Sequence, residues 1–93
     1  MKNWRRHKNV NCYEIKAQNK ASYFKAEMRG KKYKNYKGDV YIVADVVVDA
    51  ENLRITVIYK EFVTLGPAWS SYLEDFLRFN EPLENYKEET ENE

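Results

Sequence analysis

A chain of 93 residues, 43% of them hydrophobic and fourteen of them aromatic, is long enough for one cored domain, too short for two, and too apolar to be natively disordered. Its single cysteine, Cys12, excludes an internal disulfide and a cysteine-built zinc site, and nowhere do about 18 apolar residues run together as a membrane span requires. The net charge of +1 conceals a division: residues 1–38 hold twelve Lys/Arg against two Glu, while residues 39–93 hold four against thirteen acidic residues, a segregation that suits charged partners.

Residues 1–9 form a polar, basic arm around Trp4, without the apolar stretch of a secretory signal. With the lone thiol, this points to a reducing, cytoplasmic setting. Val10 to Ala17 carries the β-formers Cys12, Tyr13 and Ile15 and is expected to be a strand. From Asn19, the run NKASYFKAEMRG spaces Ala21, Phe24 and Met28 as a helix does, with Gly30 where a left-handed cap belongs. Lys32 to Tyr36 then predicts a strand entering a tight turn at Lys37-Gly-Asp39.

The next two segments predict a hairpin. Val40, Ile42, Ala44, Val46 and Val48 alternate with Tyr41, Val43, Asp45, Val47 and Asp49, and the first set is expected to be buried. Asp49 to Asn52 makes the turn, and Leu53, Ile55, Val57 and Tyr59 form the inward face of the returning strand. Gly66-Pro67 breaks the chain, and a short helix begins at Ser70 or Ser71 with Leu73, Phe76 and Leu77 as its apolar set, stopped by Pro82. Trp69, Tyr72, Phe76 and Phe79 are expected to plug the core beneath this turn. The run Glu84 to Glu93, with five Glu and one Lys, predicts a disordered, solvated acidic tail.

The blocks Gly30-Lys-Lys-Tyr-Lys-Asn-Tyr-Lys-Gly38, Tyr41-Ile-Val43, Val57-Ile-Tyr59 and Trp69-Ser-Ser-Tyr-Leu-Glu-Asp-Phe-Leu77 resemble, in order and spacing, an uncharacterised bacterial and phage domain family of small SH3-like β-barrels. The likeness covers about residues 28–80. It implies an antiparallel barrel, mostly β with short helices in an α+β chain, and assigns no activity. Two positions depart from the family's pattern: Val63–Pro67 stands where a Gly-Asp-rich loop is usual, and Ser71-Tyr72 replaces an Arg-Pro pair. The organisation expected is a basic N-terminal extension over 1–27, a barrel over 28–83 and the tail over 84–93.

No catalytic apparatus is expected, since His7 and Cys12 lack an orienting third group and the chain has neither a phosphate-binding Gly loop nor close metal-ligand spacing. No cofactor follows either. A non-enzymatic binding module fits better: aromatics interleaved with excess positive charge supply both stacking faces and phosphate neutralisers. The candidate nucleic-acid contacts are Arg5, Arg6, Lys31, Lys32 and Lys34, with Trp4 or Tyr33 stacking, although Tyr33 and Tyr36 also fit the inside of a barrel. Lys32, Lys34 and Tyr36 share one side of their strand, and Lys31, Tyr33, Asn35 and Lys37 the other.

The abundance of Lys, Asn, Tyr, Glu and Ile, all from A/T-rich codons, suits a low-GC bacterium or its phage. That supports an alternative: an anti-defence protein, anti-CRISPR-like, inhibiting a host nucleic-acid enzyme by direct contact through Asp45, Glu74, Asp75 and Glu81 on its acidic half. A homodimer formed through the opposite charges is a third arrangement.

Overall fold

The computed structural model describes residues 12–64 and 66–83. In chain order they form helix α1 (Cys12–Met28), strands β1 (Lys32–Asn35), β2 (Val40–Val48), β3 (Ile55–Glu61) and β4 (Trp69–Tyr72), helix α2 (Leu73–Phe79) and strand β5 (Asn80–Pro82). The five strands make one antiparallel sheet in the order β4-β3-β2-β1-β5. β4 and β5 lie at opposite ends of that order, so the sheet is open where the family resemblance implied a closed barrel. The architecture is α+β.

α1 begins a full turn and more before the expected short helix, and Cys12 to Ala17 is helical rather than a strand. Tertiary packing overrides the local β preference. Tyr13 and Ile15 face solvent, 70% and 48% exposed, while Ala17, Ala21, Phe24 and Met28 follow the i, i+4, i+7 rhythm of one helical face, with Ala21 and Met28 buried. Gly30, at φ 82°, ends the helix in the left-handed region as the sequence predicted. Its amide donates to the Val43 carbonyl at 2.8 Å, and Val43 returns a bond to the Lys31 carbonyl at 3.0 Å. The helix is thereby fastened to β2 within three residues of its end.

Side-chain oxygens shape both tight turns. The Asn35 Oδ1 accepts from the amides of Lys37 and Asp39, each at 2.9 Å, while Gly38 supplies φ 94°. In the β2–β3 hairpin the Asp49 Oδ1 accepts from the Glu51 amide at 2.8 Å and the Asn52 Oδ1 from the Arg54 amide at 2.9 Å, with Leu53 held at φ 60°.

The hairpin pairs Val48 with Ile55, Val47 with Thr56, Val46 with Val57 and Asp45 with Ile58; then Ala44 is skipped, and Val43 pairs with Tyr59, Ile42 with Lys60 and Tyr41 with Glu61. This bulge changes the phase of β2. Val46 and Val48 face inward as expected, but ahead of the bulge it is Tyr41 and Val43 that do so, leaving Val40, Ile42 and Ala44 on the other side. Val43 is 1% exposed, and Ala44 lies in solvent.

One core fills the inner side of the sheet: Ala21 and Met28 from α1, Tyr33, Val43, Val46, Ile55 and Val57 from the strands, and Leu73 and Phe76 from α2. Both helices lie against this face. Of the expected aromatic plug only Phe76 is buried, at 1% exposure. Trp69 is 57% exposed and Phe79 54%, while Tyr72 is half-buried at the hairpin end, accepting a bond at its hydroxyl from Asn52 Nδ2 at 3.0 Å. Phe76 meets Tyr33 edge-on at 5.2 Å and Tyr59 at 5.0 Å. Tyr72, paired with Thr56, leaves the other face of the sheet, Trp69 lies on the edge strand β4, and Phe79 is the last residue of α2, so none of the three sits over the centre of the sheet as Phe76 does.

Candidate nucleic-acid interface on the outer sheet face

Paired residues of an antiparallel sheet leave the same face, and the register brings basic groups from distant parts of the chain into one row. Lys32 stands opposite Ile42, which stands opposite Lys60. Beside this row Lys34 pairs with Val40 on one flank and with Glu81 on the other. Ile58, between Thr56 and Lys60, and Val40 complete an aliphatic floor. All of these except Glu81 are half-buried, Glu81 is exposed, and none belongs to the core.

Phe62 closes one end of the floor. Its amide donates to the Val40 carbonyl at 2.9 Å, continuing the ladder beyond β3, and the Lys32 Nζ lies 4.2 Å from the centre of its ring. The ring is 39% exposed, and Val63 beyond it 84%. Cation and ring therefore lie together, the combination of positive charge and aromatic surface that nucleic-acid sites use. At the β1–β2 turn Tyr36 is 81% exposed with the Lys37 Nζ 5.8 Å from its ring centre.

Of the residues singled out from the sequence, Lys32 and Lys34 are brought together here. Lys31 is not: it borders a shallow groove on the opposite side with Phe24, Met28 and Tyr33. Tyr33 is 5% exposed, so it packs in the core and offers no stacking face, whereas Tyr36, grouped with it as a core candidate, lies in solvent. Trp4, Arg5, Arg6 and His7 lie outside the described residues, as does the tail over 84–93. Lys60 and Phe62 were missed, because their membership depends on which residue the hairpin register sets opposite Ile42.

The acidic candidates are dispersed. Asp45 on β2 pairs with Lys25 of α1 at 3.2 Å, Glu74 with Arg54 at 3.4 Å, and Asp75 with Arg78 at 3.8 Å, while Glu81 sits on the edge strand. Burial acts to raise the Asp45 carboxyl, but the Val46 amide, donating at 2.8 Å, together with Lys25 and Arg29, outweighs it and holds the carboxyl below its ordinary value. Glu74 is also held low, first by its own backbone amide at the start of α2 and then, against some desolvation, by Arg54 and Lys20. These carboxylates are engaged with cations of their own chain.

Among the described residues no three His, Cys, Asp or Glu side chains converge as a metal site, and no helix is long and apolar enough to cross a membrane. Comparison of the chain with known protein families, with characterised proteins and with solved structures finds no match.

Proposed function

We propose that the chain is a non-enzymatic cytoplasmic interaction module that holds nucleic acid, alone or within a nucleic-acid-bound complex, on the outer face of its sheet. Lys32, Lys34 and Lys60 would neutralise phosphates, and Phe62 would stack a base above the floor of Val40, Ile42 and Ile58. The observation that carries the reading is the cross-strand row Lys32–Ile42–Lys60 with the Lys32 ammonium against the Phe62 ring. Trp4, Arg5 and Arg6 would extend the contact from the arm. The likeness to SH3-like domains belongs to the same proposal: five short antiparallel strands, with edges that here stay apart.

Inhibition of a host enzyme through the acidic residues has less support, since Asp45, Glu74 and Asp75 already face Lys25, Arg54 and Arg78. Retention on immobilised single-stranded DNA across a salt gradient tests the reading. The three lysine–phosphate contacts at ~0.7 per contact give a log–log salt slope of about −2, steepened toward about −3.5 where both arm arginines also engage, and Lys32→Glu with Lys60→Glu should abolish retention at low salt. Undiminished retention by that double variant would sink the proposal.

A further inference from the structure

The inner face carries a second, differently built surface at the end away from the start of α1. Tyr41 and Tyr59 meet edge to face, centroids 5.1 Å apart and planes at 76°. Trp69 is the cross-strand partner of Tyr59, so its indole leaves the sheet beside them, and it is 57% exposed. Glu61 pairs with Tyr41, and Asp39 lies two residues before Tyr41 along the chain. Burial raises the Tyr41 hydroxyl above its ordinary value, and Asp39, Tyr59 and Glu61 raise it further, against a hydrogen bond with the Asn35 side chain that lowers it.

The two acids differ from those elsewhere on the molecule. Asp45, Glu74 and Asp75 face cations, whereas among the described residues Asp39 and Glu61 take part in no ion pair. Their side-chain partners are neutral: the Asn35 amide at 3.4 Å from Asp39 Oδ2, and the Thr64 hydroxyl at 2.7 Å from Glu61 Oε1. Aromatic walls with carboxylates at the rim attract a cation by its ring contacts and by its charge at once. A planar guanidinium uses both, stacking on a ring while its edge donates to carboxylate oxygens, which a compact ammonium does less well.

We propose that Tyr41, Tyr59 and Trp69, rimmed by Asp39 and Glu61, form a docking site for an arginine side chain of a partner protein. The site lies on the opposite face from Lys32 and Lys60 and stands independently of the nucleic-acid reading.

The test uses the full chain carrying Trp4→Phe, so that Trp69 is the only indole. N-acetyl-arginine amide is titrated against Trp69 emission, with the uncharged isostere N-acetyl-citrulline amide as control. The expected result is a saturable change with arginine alone, weakened about tenfold or more, as loss of charge-assisted bonds implies, by Asp39→Asn with Glu61→Gln, and unchanged by Lys32→Glu with Lys60→Glu. Asp39→Asn and Glu61→Gln are isosteric, and none of the four positions belongs to the core, so the fold should be retained, which thermal melts check. An equal response to citrulline, or affinity indifferent to the carboxylate changes, overturns the site. Tighter arginine binding after Arg5→Ala with Arg6→Ala would show that the arm competes for it, and would overturn the assignment to a partner.

Discussion

Replacing Phe76 by alanine should remove a large part of the domain's stability, whereas replacing Trp69 should not. Phe76 is 1% exposed and joins α2 to β1 and β3 through its contacts with Tyr33 and Tyr59. Truncation of such a ring costs about 3–5 kcal/mol, the lost transfer energy plus a cavity. A chain of this length has on the order of 5–14 kcal/mol in all, so the melting temperature should fall by roughly 12–40 °C at about 4–8 °C per kcal/mol. Trp69 keeps more than half of its surface in solvent. Burial of about 100 Å² of indole at ~25 cal/mol/Å² bounds its contribution near 2.5 kcal/mol, and the true figure is smaller because the unfolded chain also buries surface. Urea and thermal melts of both variants by far-ultraviolet circular dichroism decide it. A Trp69→Ala loss equal to or larger than the Phe76→Ala loss would refute the assignment of Phe76 as the ring that joins helix to sheet.

Gly30→Ala should cost about 1–2 kcal/mol in a thermal melt, because φ 82° strains a side chain although no atom obstructs its Cβ, and Gly30→Asn should cost less. Asp45→Asn should destabilise by under about 1 kcal/mol at neutral pH, as suits an exposed ion pair. Since the folded carboxyl is held low, its stabilising contribution is present above the unfolded value near ~3.9 and is lost as pH falls through the lowered one; melts of variant and parent should therefore converge in acid. Phe62→Ala should weaken single-stranded DNA binding about 5-fold to 150-fold, the range for one stacked base, while leaving the salt slope unchanged. A titration at several salt concentrations separates the two effects.

The hairpin was legible because the turn residues Asp49 and Asn52 bound two β-rich runs, and the C-terminus of α1 because Gly30 marked it. Its N-terminus was not, since Tyr13 and Ile15 favour strands locally and only packing of Ala17 and Ala21 on the sheet decides for helix. In β2 both alternating sets are largely apolar, so hydrophobicity cannot fix which one turns inward. That ambiguity reaches the candidate site. Continued without a bulge, the register at Val48–Ile55 would set Glu61 opposite Ile42; the skipped Ala44 substitutes Lys60. The sign of charge in the row thus depends on a single extra residue. Lys32 and Lys34 were correctly placed on one side of β1, because a strand's alternation needs no knowledge of its neighbours.

The placement of α2 bears on how the sheet comes apart. Its two edges, β4 and β5, are consecutive strands of the chain, separated only by the seven residues that carry Leu73 and Phe76 into the core. Peeling either edge away pulls on the same short tether. Local opening at one margin is thereby coupled to the other and to the packed interior, and amide exchange at both edges should approach the rate set by global unfolding instead of the faster rate of independently fraying strands.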